Sequence, residues 1–243
     1  MKPYIFYNIW NKPDGVPLIF HGVRKCIPKN SIIDITLENP INDSLDLFKS
    51  QLPILQEFDV RWNVSNIDRL IRNRNIAIRR FMESDCDVFI NLQDDMYIQD
   101  SFLIPDLTKL YNENPNAGLI TLRDALTITW QPTHGSNFSD STVVNRLRSG
   151  EYVSSPIVND GTLILNKNTV NKVGLFDEDF IAFYVEYDYS LRCNNAGLIN
   201  FAMGAEIVHL KVGRVIASDH YENDSNWGNK DLELLRKKYP QYY

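Results

Sequence analysis

The amino-acid sequence predicts an α/β fold in which a mostly parallel central sheet is flanked by helices. The main observation is that short β-like runs alternate with helical stretches along the first half of the chain, as in parallel sheets covered by helices. The length of 243 residues is enough for one such domain with a buried core. A hydrophobic content of 44% with 23% charged residues is typical of globular proteins.

Five apolar runs are predicted as strands, because they are rich in β-branched and aromatic residues and are bounded by turn-forming residues. They are Tyr4–Tyr7, Ile32–Thr36, Phe58–Trp62, Val88–Leu92 and Leu119–Leu122. Between the third and fourth runs, residues 66–84 carry apolar side chains at helical spacing. This spacing predicts a helix whose apolar stripe packs on the sheet.

The second half of the chain has a different pattern. A β-like run from Ser155 to Leu165 is followed by a short helix, and a further helix is predicted over Glu186–Asn195 with Gly197 as its C-cap. Ile207–Leu210 is predicted as a late strand, and a terminal helix is expected to end before Pro240.

Charge and composition exclude several classes of protein. The net charge of −6 and the pI near 5.2 argue against general nucleic-acid binding, which needs a basic face. No apolar run is long enough to cross a bilayer, and polar residues interrupt the N-terminus too early for a secretion signal, so we expect a cytoplasmic protein. Cys26, Cys86 and Cys193 form no CxxC pair and are expected to be buried free thiols.

Two adjacent carboxylates follow the fourth predicted strand in the sequence VFINLQDDMYIQD. Asp94 and Asp95 would therefore lie at the carboxyl end of a strand, where open α/β sheets bind ligands. Paired carboxylates suit a hard divalent cation, which prefers oxygen ligands. The alternative is a polar turn in which Asp has only a structural role.

Two further candidates lie in the second half. Glu186 and Asp188 fall near a predicted helix start behind several aromatic residues, and a partly desolvated carboxylate is a good proton acceptor. The alternative is that acidic residues there only complement the helix dipole. His209, in a β-like run, is either a metal ligand or a hydrogen-bonded core residue.

In this order, the motifs resemble those of GT-A-fold glycosyltransferases, in particular the family-2-like inverting enzymes that include rhamnosyl- and glucosyltransferases. The resemblance extends from about Tyr4 to Tyr239. Its most specific part comprises Gly174, Phe176, Asp177, Glu178, Phe180, Glu186, Asp188 and Arg192. It implies one GT-A (Rossmann-like) domain over 1–243, with a small antiparallel sheet on the acceptor side. Residues 1–122 would form the nucleotide-sugar half, and 123–243 the acceptor and catalytic-base half.

The resemblance also implies roles for individual residues. Glu186 aligns with the catalytic Asp of the family, and Asp95 and His209 would hold Mn²⁺ or Mg²⁺. The residues expected to bind the nucleotide sugar are Asn8, Glu38, Arg74, Gln93 and Asp94. Gln93 replaces the first Asp of the family's Asp-x-Asp motif. The residues expected on the acceptor side are Trp130, Asp160, Gly161 and Asp188.

The expected activity is transfer of a sugar, glucose or rhamnose, from a UDP-linked donor to a hydroxyl of a glycan or another acceptor. The segment 124–152, with Trp130 and His134, is expected to be a lid or acceptor wall. One alternative is a nucleotide-sugar-binding module without turnover, favoured by Gln93 and by Glu at position 186. A sugar nucleotidyltransferase is a weaker alternative, because Gly15 and Gly22 are isolated and form no phosphate-binding loop.

Overall fold

An eight-stranded mixed sheet with helices on both faces is the framework of the described part of the chain. The computed structural model describes residues 1–10, 15–40, 42–66, 70–124, 131–134, 141–144, 147–158, 162–181, 183–209 and 227–242. The strands are β1 (Pro3–Trp10), β2 (Ile32–Glu38), β3 (Asp59–Ser65), β4 (Val88–Gln93), β5 (Met96–Ile98), β6 (Ala117–Asp124), β7 (Gln131–His134), β8 (Ser141–Val144), β9 (Tyr152–Ser154), β10 (Leu163–Asn166), β11 (Ile199–Ala205) and β12 (Ile207–His209). The helices are α1 (Val16–Cys26), α2 (Asn42–Gln51), α3 (Leu70–Glu83), α4 (Leu103–Glu113), α5 (Lys167–Val173), α6 (Val185–Asn195) and α7 (Trp227–Lys238).

The strand order of the main sheet is β3-β2-β1-β4-β10-β6-β11-β9. The first four strands are parallel to one another, as expected from the alternation of strands and helices in the first half. β10 lies antiparallel between β4 and β6, and β11 is parallel to β6. β5 and β12 form a small antiparallel pair, as do β7 and β8. The prediction of a mostly parallel α/β sheet with a small antiparallel sheet is confirmed.

Alternation along the strands gives the sheet two apolar faces. In β1, Ile5, Tyr7 and Ile9 belong to one core cluster, together with side chains of α1, α2 and α4. Tyr4 and Phe6 belong to a second cluster, with side chains of α3, α5, α6 and α7. The face that packs on α3 therefore contains the even-numbered residues of β1.

The five predicted strands and the predicted helix over 66–84 are found, with shifted ends. The prediction of a β-like run from Ser155 to Leu165 is wrong over its first part, because residues 155–158 lie outside any strand. The Ser155 hydroxyl donates to the Ile157 carbonyl at 2.6 Å, and Pro156 has no N–H to donate. Residues 155–158 therefore form a turn, and among the described residues of the predicted run those from Leu163 onward belong to a strand, β10.

The three cysteines are free and buried, as predicted. Burial raises the pKa of the Cys193 thiol to about 12, so this side chain stays protonated and behaves as part of the core. None of the helices in the described ranges combines the length and apolar character that crossing a bilayer requires.

Candidate active site

Polar side chains replace apolar ones at the carboxyl ends of β1, β2 and β4, on the face that packs against α3. Asn8 follows Tyr4 and Phe6 on the same face of β1, and it is aligned with Gln93 across the β1–β4 pair. Glu38 is the last residue of β2, and Asn91 lies two residues before Gln93 on β4. The two-residue period of a strand directs these side chains to one rim of the sheet.

Helix α3 contributes a buried amide to this rim. Asn8 Nδ2 donates to Glu38 Oε2 at 2.5 Å, and Asn73 Nδ2 lies 3.4 Å from both Asn8 Oδ1 and Glu38 Oε2. The Ser65 hydroxyl, at the end of β3, donates to Asn73 Oδ1 at 3.0 Å. The network brings together Asn8 and Glu38, two residues predicted to bind the nucleotide.

Arg74 connects the sheet to α6. Its Nε donates to Asn91 Oδ1 at 2.6 Å, and its Nη1 lies 3.7 Å from Glu186 Oε1. The Arg74 side chain is 3% exposed. Burial lowers the pKa of Arg74, and the nearby Glu186 carboxylate opposes that shift. A guanidinium still keeps its proton in proteins, so Arg74 places a fixed positive charge beside the predicted general base.

The segment before α6 is held by the next residue of α3. Asn75 Nδ2 donates to the Phe176 carbonyl at 2.9 Å, and Asn75 Oδ1 accepts from the Phe176 N–H at 3.0 Å. Tyr184, immediately before α6, has φ 58 and ψ 3, in the left-handed region. Bulky residues rarely adopt this conformation, and it is often found near functional sites.

Asp188 lies two residues after Glu186, on the opposite side of α6. Its carboxylate accepts from Arg192 Nε at 2.8 Å, from the Tyr239 hydroxyl at 2.9 Å and from Lys238 Nζ. Asp188 is 0% exposed. These contacts give it a structural role in this conformation, and its predicted contact with the acceptor stays a prediction.

Asp94 and Asp95 form the turn between β4 and β5 and are both half-buried. The register of β5 and β12 places the His209 backbone opposite Met96, the residue after Asp95. The side chain of His209 lies outside the described residues. Among the described side chains, His, Cys, Asp and Glu form no group of three that could hold a metal ion.

The chemistry of this donor set nevertheless fits Mn²⁺ or Mg²⁺. Mg²⁺ is usually bound by one or two carboxylates, together with waters and substrate phosphates, and imidazole suits transition metals. Asp94 and Asp95 supply carboxylate oxygens of the kind that such an open site uses, and the part of His209 in a metal site stays a prediction.

Trp130, Asp160 and Gly161, predicted on the acceptor side, lie outside the described residues. Within the predicted lid over 124–152, the backbones of β7 and β8 pair antiparallel to each other. The acceptor side therefore stays a prediction.

Two residues of the site were missed by sequence reasoning. Asn73 and Asn91 are both buried and hydrogen-bonded to other residues of the rim. A signal was present, because an Asn inside the apolar strand VFINL and an Asn within the stripe of α3 each need a buried partner. The partners themselves could not be identified without the fold.

Known structures with a similar fold were found. No protein-family model matches the sequence, and neither does any curated protein sequence. Among solved structures, the crystal structure of GalNAc-T7 with UDP, GalNAc and Mn²⁺ is similar at a TM-score of 0.66 and 12% identity, covering 88% of this chain and 44% of that chain. Staphylococcus aureus TarS 1–349 matches at a TM-score of 0.56 and 11% identity, covering 85% of this chain and 58% of that chain. TarS 1–349 in complex with UDP-GlcNAc has the same TM-score and identity, covering 85% and 56%.

Both neighbours are GT-A glycosyltransferases, and the fold of this chain is the GT-A fold. The chain spans about half the length of these solved structures. The predicted fold class is therefore confirmed.

Proposed function

We propose that the chain is a metal-dependent, inverting glycosyltransferase that moves a sugar from UDP to a hydroxyl of a glycan or another acceptor. The observation that carries the proposal is the approach of Glu186 to Arg74, beside the buried Asn8–Glu38 network at the carboxyl rim of the sheet. A carboxylate, a fixed cation and a polar hydrogen-bond network lie together where α/β folds bind their ligands. The solved neighbours with UDP, UDP-GlcNAc and Mn²⁺ support the choice of donor and metal.

The polar rim would bind the nucleotide. Glu38 can accept an N–H of a pyrimidine ring, and Asn8, which donates to the Glu38 carboxylate, fixes its orientation. Gln93, the last residue of β4, and Asp94, in the turn that follows it, would bind the ribose. Arg74 would face the diphosphate, because a buried guanidinium is well suited to phosphate oxygens.

Asp95 and His209 would hold the divalent cation. When bound, the cation would offset negative charge on the leaving diphosphate. Asp94 and Asp95 lie in a half-buried turn, so neither residue is enclosed in the core.

Glu186 would act as the general base. The acceptor oxygen forms a bond to the anomeric carbon while the bond to the diphosphate breaks, and the hydroxyl proton passes to the Glu186 carboxylate. Attack from the face opposite the diphosphate inverts the anomeric configuration. Arg74 holds Glu186 by charge while it hydrogen-bonds to Asn91.

A panel of nucleotide sugars, each with Mn²⁺, tests the donor. A ligand that binds only the folded state raises thermal stability, so we expect a rise in the melting temperature with UDP-sugars and smaller rises with other nucleotides. Release of UDP on adding a glycan acceptor would then measure transfer. A chain that neither binds nor consumes any nucleotide sugar would contradict the proposal.

The alternative function is a nucleotide-sugar-binding module without turnover, and Gln93 in place of a family Asp favours it. Slow hydrolysis of a bound UDP-sugar distinguishes the two, because only a catalyst releases UDP continuously. The cytoplasmic location and the single-domain organisation stay predictions.

A further inference from the structure

Helix α7 holds the chain segment that leads into α6. Asp231, on α7, is 1% exposed. Its Oδ1 accepts from the Ile181 N–H at 2.9 Å, and its Oδ2 accepts from the Phe183 N–H at 2.8 Å. Both carboxylate oxygens thus bind backbone N–H groups that lie two residues apart. Such charge-assisted bonds are stronger than neutral ones and fix the path of the backbone.

The segment that Asp231 binds through these two hydrogen bonds, which we call the Asp231 clamp, continues directly into α6 and the proposed general base. Tyr184 follows Phe183 in the left-handed conformation, α6 begins at Val185, and Glu186 is its second residue. A tyrosine remains left-handed only when its surroundings impose that conformation. The Asp231 clamp acts on the residue just before this turn, so it is placed to impose it.

A second set of contacts joins α7 to the other side of α6. Lys238 Nζ donates to Asp177 Oδ2 at 2.7 Å and to Asp188 Oδ1, which also accepts from the Tyr239 hydroxyl. Leu235 and Tyr239 are buried in the core shared by α3 and α6. Helix α7 is therefore packed into the core, while Asp231 hydrogen-bonds to the segment that precedes Glu186.

We propose that Asp231 is a positioning residue for Glu186. By holding Ile181 and Phe183, it maintains the left-handed turn at Tyr184 that brings Glu186 to Arg74. This inference rests on the proposed function. Asp231 acts through the backbone and is assigned no contact with substrate, so its loss should affect the reaction step and leave nucleotide binding intact.

The test is Asp231→Asn in the full chain, assayed with UDP-sugar, Mn²⁺ and acceptor. The amide keeps one oxygen acceptor but presents an NH₂ group to the other backbone N–H, so one end of the clamp is lost. A displacement of about 1 Å of a catalytic group costs on the order of 10²-fold in rate. We expect kcat to fall by about this factor or somewhat less, with the Kd for UDP unchanged.

Two variants on the same helix serve as controls. Glu233→Gln makes the same type of change at an exposed position, so its kcat should match the wild-type value. Leu235→Ala loosens the buried side of α7 without removing the clamp, so it shows how much kcat falls through destabilisation alone. Melting temperatures of all variants are measured under the assay conditions, and rates are compared well below the lowest of them.

A loss of kcat in Asp231→Asn that exceeds the loss in Leu235→Ala, at unchanged Kd for UDP, supports the proposal. An equal loss in both variants, a wild-type kcat, or a weakened Kd for UDP overturns it. If Asp231→Asn does not fold, Asp231→Glu, which moves the carboxylate by one methylene, is judged by the same comparison. Absence of transfer by the wild-type chain would overturn the proposed function itself, whereas an active wild-type with an unaffected Asp231→Asn overturns only this inference.

Discussion

The two sides of α6 carry carboxylates with different surroundings. On the side towards the sheet, Glu186 lies 3.7 Å from Arg74 and retains some exposure. On the side towards α7, Asp188 is fully buried and accepts from Arg192, Lys238 and Tyr239. The two residues are separated by one position in the sequence, and a helix turns about 200° between them.

With the role proposed for Glu186, this acidic motif would combine a functional and a structural residue. Three groups satisfy Asp188, so its charge stabilises the junction of α6 with α7. Glu186 lies beside Arg74 at the proposed active site, where it would accept the proton of the acceptor hydroxyl. Substitutions on the two sides should therefore affect different quantities, catalytic rate on one and stability on the other.

The largest effect is expected for Glu186→Gln. The amide cannot accept the acceptor proton, and general-base catalysis is usually worth about 10²- to 10⁴-fold in rate. Transfer should fall by that factor in a radiolabelled-sugar assay, while UDP binding stays near the wild-type value. Asp179→Asn, at an exposed position before the helix, is the control and should be neutral. Normal turnover in Glu186→Gln would remove the residue from this role.

The next effect is expected for Asp188→Asn, as a loss of stability. Removing the charge weakens the hydrogen bonds that Arg192, Lys238 and Tyr239 donate to a buried carboxylate, and a hydrogen bond to a charged group is worth about 1.5 to 3 kcal/mol. Urea denaturation should show this as a lower midpoint. If the variant instead kept its stability and lost affinity for the acceptor, the result would contradict a structural role and support the predicted contact of Asp188 with the acceptor.

Asp95→Asn should have a smaller effect, seen in metal dependence. Loss of even an outer-shell partner of a metal typically lowers affinity or activity by about 10- to 100-fold, and loss of a direct ligand should cost at least as much. Titration with Mn²⁺ after removal of metal with EDTA measures the shift in half-activation. Glu206→Gln, exposed beside β12, is the control. An unchanged titration would contradict the metal assignment.

The smallest effect is expected for Glu38→Gln at the nucleotide rim. A hydrogen bond to a charged group is worth about 1.5 to 3 kcal/mol, and because the Gln amide keeps an oxygen acceptor, we expect a loss near the lower end of this range, about tenfold in affinity for UDP. Calorimetry should show weaker UDP binding, and kcat at saturating donor should change little. A large loss of kcat at unchanged UDP affinity would contradict this role and would instead assign Glu38 to the reaction step.

Much of the fold could be predicted from the sequence, because apolar periodicity reports which faces are buried. The parallel strands of the first half and α3 were found in this way. β11 was not predicted, since its sequence INFAMGA contains small residues with weak β propensity. The turn at 155–158 was mistaken for a strand because its apolar residues are buried by tertiary packing without pairing.

The site was predictable where a motif holds its partners close in sequence, and less so where partners are distant. Glu186 and Arg74 are candidates that local motifs indicate, and their roles stay predictions. Asn73, whose partners include Asn8, and Asp231, which binds Ile181 and Phe183, depend on contacts 48 to 65 positions apart. No local pattern specifies such pairs, because they exist only once the chain has folded.

The reversed strand β10 has a consequence for the order of assembly. β4 pairs with β1 on one side, and its other edge is filled only by β10, which is translated after α4, β6 and β9. During synthesis, the N-terminal parallel strands can associate first while β4 still presents an unpaired edge. A nascent chain halted before residue 163 would leave that edge of β4 without β10, and unpaired strand edges favour association with other polypeptides.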